Sequence, residues 1–236
     1  FGYRALFFII AASTLLAAVV LQTAFHYETV VGHSSEGRHS LSFSSLIAKE
    51  CIFYSLIAGL FSMGNGIVNS FLVLLGESSK IAQISLFFSV NAIVLFVLRL
   101  LVGKVIDRAN LLFIVNLSLL AGAGSMILIG KSGILVPILI AAAIKAFGNV
   151  GGQISLQSAC VKRVDAARIG VATSTYYIGA DIGQGLGPIW GGKVAEQFGY
   201  EGVFFCMAGF FLLGVICFTA YQIHLNRKTA SETVIQ

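Results

Sequence analysis

Charge is scarce in this sequence: fifteen Lys and Arg and ten Asp and Glu among 236 residues, or 11%. A water-soluble domain carries roughly 25%, so this chain has too little polar surface to face water on all sides. Proline is nearly missing too, with two residues, which leaves long helices uninterrupted. The four cysteines, Cys51, Cys160, Cys206 and Cys217, lie in or beside apolar stretches without paired spacing. They read as small buried hydrophobes, not as a disulfide framework or a metal site. His26, His33 and His39 match no metal-ligand spacing. No Walker motif, nucleophile elbow or zinc-hydrolase helix occurs, so no enzyme activity, cofactor or metal is expected. No basic leader or cleavage site precedes the first apolar run, which opens at Phe1. The chain therefore reads as beginning inside a longer product.

Apolar sequence fills the space that charge vacates, at 57% of residues. A membrane helix needs about 20 mostly apolar residues to cross a core of about 30 Å. Seven segments qualify: 5–25, 46–74, 81–103, 111–129, 134–158, 168–192 and 201–223. Their runs are continuous and lack the period-two alternation of a barrel. The expectation is an all-α membrane protein of seven transmembrane helices, with lipid as its main partner and no nucleic acid. The polar stretch 26–45, "HYETVVGHSSEGRHSLSFSS", is the one linker of any length. Alternate loops hold nine Lys and Arg on one side and four on the other. The richer side is expected to be cytoplasmic, which puts the linker and the 226–236 tail inside.

Three stretches point to a family. "FGYRALFF" at 1–8 returns as "FGYEGVFF" at 198–205, and Ala11, Leu15 and Leu16 then align with Ala208, Leu212 and Leu213 without a gap. "RLLVGKVIDR", Arg99 to Arg108, resembles the G-x-L-x-D-R loop of the major facilitator superfamily, with Val105 in place of the Leu. "GQGLGPIWGG", Gly183 to Gly192, is similar to the G-x-x-x-G-P-x-x-G-G signature of that family's antiporters. The resemblance implies secondary transport, closest to the small-molecule exporters, by two six-helix halves. It further implies that 1–25 is the last helix of the first half and 46–225 the second six-helix bundle. Five preceding helices of the N-terminal half would then be a missing partner. One departure stands out: Ala109, Asn110 and Leu111 follow Arg108 where the family has Gly and further basic residues.

Ionisable groups near the bilayer centre cost at least about 2.5–3.5 kcal/mol and so face a cavity or a partner. Lys145 and Asp181 are the two such groups, at similar depth on consecutive antiparallel helices. A salt bridge or a shared aqueous pocket between them is expected. Lys145, Asn149, Gln153 and Gln157 recur every four residues, which keeps them on one helix stripe. Such a stripe should line water, although amides also serve as glue between helices. Asp181 shares its face with Tyr177 and Ser174 and is the candidate proton carrier. Asn65 and Asn69, in "SMGNGIVNSF", are candidate gate residues beside Gly64 and Gly66, where the helix is expected to bend. Gly179, Gly183, Gly187 and Gly191 form a ridge for close packing, with Pro188 inside it; a sliding interface between the two halves is the sharper reading. Arg99, Gly103, Asp107 and Arg108 are expected to form a cytoplasmic gate loop.

The reading is a multi-pass plasma- or inner-membrane transporter that exports a small organic molecule by proton antiport and alternating access. Lys145, Asn149, Gln153, Asn65, Asn69 and Tyr177 would line the substrate pathway. Nutrient import by symport or facilitated diffusion is the alternative. A seven-helix retinal-type sensor is remote, because its lysine would sit in the last helix and Lys145 sits in the fifth. A scaffold without transport would have no use for a polar stripe at mid-membrane.

Overall fold

A computed structural model of the chain describes residues 3–25, 47–106 and 110–233. The 26–45 linker with its three histidines, and Asp107 and Arg108, lie outside them. The chain divides into two units, residues 1–40 and 41–236. In the first, α1 (Tyr3–Phe25) spans 23 residues, about 35 Å at 1.5 Å per residue. Ser13 and Thr14 both donate to the Ile10 carbonyl at 2.8 Å, so neither hydroxyl is left bare on this apolar helix.

The second unit is built of α2 (Ile52–Ser78), α3 (Leu86–Ile106), α4 (Leu111–Lys131), α5 (Leu135–Val161) and α6 (Ile169–Thr233). One-turn 3₁₀ segments, Lys49–Cys51 and Ala166–Arg168, lead into α2 and α6. Local chemistry sets the starts of two helices. Asn110, one of the residues that departs from the family loop, caps α4 by accepting from the Leu112 N–H at 2.9 Å. Pro137 falls in the first turn of α5, where its missing N–H leaves no helical bond unmade.

At 65 residues, α6 is far too long for one crossing, and it breaks at Gly199, with φ 72° and ψ 176°. The limbs 169–198 and 200–233 reproduce the sixth and seventh expected segments. Cross-contacts fix their directions. The first limb runs parallel to α2, because Gly179, Gly183 and Gly187 meet Ser55, Gly59 and Met63 in ascending order. The second runs antiparallel to α2: Gly64 faces Phe211, and Gly214 faces Leu60. Ring packing of Trp190 on Phe210, centroids 4.9 Å apart, joins the limbs to each other. So the "FGY" phrase marks a hairpin between helices. Only glycine occupies that φ/ψ region readily, and a non-glycine there costs about 1–3 kcal/mol. A β-carbon on Gly199 meets nothing within 4 Å, so the cost is purely of backbone. Gly199→Ala is therefore expected to lower the melting temperature by about 2–12 °C, read by thermal unfolding in detergent.

Three expected boundaries move. α3 continues to Ile106, so Arg99 and Gly103 are helical and do not sit in a loop. α6 runs on to Thr233, which makes 226–233 helix instead of tail. α2 runs unbroken through Asn65, with no bend at Gly64 or Gly66. Those glycines serve close approach instead: a β-carbon on Gly64 would lie 2.9 Å from the Phe211 ring, and one on Gly66 would strike the Gln184 carbonyl.

Without a hydrophobic drive between helices in lipid, association rests on such packing and on interhelical hydrogen bonds. The most extensive seam is α2 against α6. There Ser55 donates to the Thr175 carbonyl at 2.7 Å, and the Ala48 N–H donates to Thr175 Oγ1 at 3.0 Å. The glycine ridge is thus spent within this bundle, on α2, and is not the free sliding face expected of it. At the end where α2 begins, Gln222 donates to the Tyr54 hydroxyl at 3.2 Å and the Arg163 guanidinium lies 4.8 Å from the Tyr54 ring centre. Glu50 and Arg168 form an exposed pair at 4.0 Å there. An exposed pair of this kind adds little to stability.

Candidate functional site

The four-residue spacing on α5 puts Lys145, Asn149 and Gln153 on one side of that helix, and this side faces a cavity of about 290 Å³. α2 supplies Asn65 and Asn69, α3 supplies Asn91, Leu95 and Arg99, and the first limb of α6 supplies Gln184. Val150 and Ile154 complete the lining. The floor is held by Asn65. Its side-chain oxygen accepts from the Lys145 ammonium and, at 2.9 Å, from Asn149 Nδ2. Lys145 is 6% exposed, so this cation sits where bulk water does not reach most of it. Asn91 Nδ2 donates to the Ala142 carbonyl at 2.9 Å, tying α3 to α5 one turn from Lys145. Opposite the cavity, the Tyr176 hydroxyl donates to the Gln153 carbonyl at 2.9 Å and fixes α5 to the first limb of α6.

Five residues expected to line a substrate pathway share this lining: Lys145, Asn149, Gln153, Asn65 and Asn69. The other candidates fall elsewhere. Gln157, the fourth member of the stripe, turns from the cavity and donates to the Tyr177 hydroxyl at 3.3 Å. Tyr177 is therefore at the bundle surface, outside the lining. Asp181 is exposed and makes no ion pair among the described residues. The expected Lys145–Asp181 salt bridge does not form. α5 and α6 touch only sparingly, and α2 packs against both. Lys145 accordingly finds its acceptor on α2.

Arg99 also moves in role, from loop latch to a helical residue at the cavity wall. Gly103 lies near the end of the same helix, and Asp107 and Arg108 are outside the described residues. Asn91 and Gln184 were missed. Asn91 carried a signal, since it stands four residues before Leu95 and eight before Arg99 on a single helix face. Gln184 was hidden inside the glycine motif that surrounds it. Among the described residues, no group of His, Cys, Asp and Glu has the makings of a metal site.

Four described helices are long and apolar enough to cross a membrane, and the last of these contains both limbs of α6. Alternating apolar spans around a polar, partly enclosed cavity define the architecture of a polytopic membrane transporter. The family model for the Major Facilitator Superfamily matches residues 1–188 and, in a second overlapping placement, residues 55–233. The chain belongs to that superfamily and is a multi-pass membrane transporter. Comparison with curated proteins and with solved structures gives no match.

Proposed function

We propose that the chain moves a small organic molecule out of the cell by proton antiport, with the α2–α3–α5–α6 cavity as its substrate site. The observation that carries the reading is the cavity itself: eight Asn, Gln, Lys and Arg side chains from α2, α3, α5 and α6 converge within an apolar bundle. Lipid satisfies none of them. Asn65, Asn69, Lys145, Asn149 and Gln153 would touch the substrate, and Tyr177, outside the lining, would meet it only on its way in or out. Asp181 would carry the proton, as a carboxylate three residues before Gln184 on the same helix. Gly103, Asp107 and Arg108 would hold the inner end closed, with the C-terminus cytoplasmic, while Arg99 would face the cavity. The glycine signature, Gly183 to Gly192 with Pro188, supports antiport through its likeness to the exporters' motif.

Everted membrane vesicles separate export from import. With a set of charged and neutral dyes outside, export gives dye uptake that an uncoupler abolishes; import gives none under the same gradient. Asp181→Asn is expected to remove the uncoupler-sensitive part of that uptake and to leave passive exchange of dye in place. Unchanged pH dependence in this variant would end the proton role of Asp181.

A further inference from the structure

From the charge of the cavity we infer the class of its occupant: an organic anion, held through a carboxylate, sulfonate or phosphate group by Lys145 and Arg99. This rests on the cavity being the substrate site, and it adds what that site selects.

Among the described residues, two cations and no acid line the cavity. The acid closest in sequence to a lining residue is Asp181, three before Gln184, and it lies outside the lining. Lys145 is nine-tenths buried, yet its one acceptor among the described residues is the neutral Asn65 amide. An ammonium has three donors, so two remain for a ligand. Asn149 keeps one N–H after its bond to Asn65. Arg99 is exposed, two turns along α3 from Asn91, and offers a planar fork suited to an oxyanion. The two cations differ in setting: an exposed guanidinium and an enclosed ammonium, with amide donors in the same lining. A cationic substrate would meet uncompensated repulsion within low-dielectric walls, where field lines are focused. An anion would supply the charge that the protein leaves out.

A thiol in the cavity tests this without knowledge of the natural substrate. Cys206 and Cys217 are replaced by serine, Asn69→Cys is added, and the whole chain is placed in lipid nanodiscs. Modification rates are measured with methanethiosulfonate ethylsulfonate, an anion, and with its ethyltrimethylammonium counterpart, a cation. The anion-to-cation rate ratio, divided by that of a free thiol in water, is expected to be at least about ten. Asn65→Asp sets a carboxylate on Lys145 without removing a side chain from the fold, and is expected to bring the ratio down severalfold. Lys145→Arg is expected to keep it. A ratio at or below that of the free thiol, or one indifferent to Asn65→Asp, overturns the anion assignment. Dye uptake in everted vesicles is scored separately, so an anion-selective cavity without uptake would count against transport and not against the charge of the site.

Discussion

Gly183→Leu is expected to destabilise the bundle strongly. A β-carbon on Gly183 would stand 2.6 Å from the carbonyl carbon of Gly59 and 2.7 Å from its Cα, and both are backbone. Nothing there is the flexible end of a side chain, so the helices themselves must part. They are pinned on either side: a β-carbon on Gly187 would lie 2.6 Å from the Met63 carbonyl oxygen, and one on Gly179 the same distance from that of Ser55. Tilting to relieve one contact tightens another. Overpacking costs about 1–3 kcal/mol even where side chains give way; against backbone, at the largest seam of the bundle, the loss should reach at least about 3 kcal/mol. That corresponds to a fall in melting temperature of about 6–12 °C for a chain of this size. Gly124→Leu is the control. Gly124 is exposed on α4, and a β-carbon there meets nothing within 4 Å, so its effect should stay within about 0.5 kcal/mol. Size-exclusion profiles and thermal unfolding of the two variants would decide it; equal stability would refute the close apposition of α2 and α6.

Helices were the legible part of this fold, because about 20 apolar residues in a row admit few other structures. Their ends were less so. The entry to α3 shifts from 81 to Leu86 because Lys80 and Gln83 take φ of 55° and 59°. Neither is the glycine or asparagine that would have announced such a turn. Gly199 did announce one, inside a phrase first noticed as a repeat. Within the site, spacing showed which residues share a face but not which helix that face meets. Lys145 was thus read as opposite Asp181, whereas Asn65 on α2 holds it. One clue lay unused in the loop count. Of fifteen Lys and Arg, thirteen fall to one side of the membrane or the other. The two left over are Arg99 and Lys145, the two cations of the cavity. A positive charge that no loop claims has to be claimed by the interior.

Asn65→Leu should be the costliest change at the cavity floor. One oxygen, Asn65 Oδ1, receives both the Lys145 ammonium and the Asn149 amide, so its loss strands two donors together. A buried donor left unpaired costs about 1–3 kcal/mol, and a charged one more. Leucine has as many side-chain heavy atoms as asparagine, so the penalty arises chiefly from the lost acceptor. The cavity lets some water reach the ammonium, which limits the loss to about 3 kcal/mol. The melting temperature should then fall by about 6–12 °C. The second variant makes the cause visible. Lys145→Met removes the cation that needs Asn65, so adding it to Asn65→Leu should restore about 1–3 kcal/mol, a coupling typical of residues that share one network. Strict additivity of the two changes would mean that Asn65 and Lys145 do not hold each other, and the cavity floor described here would be wrong. If stability returns in the pair while anion preference at residue 69 is lost, then the buried lysine is a cost to folding that the site retains for its ligand.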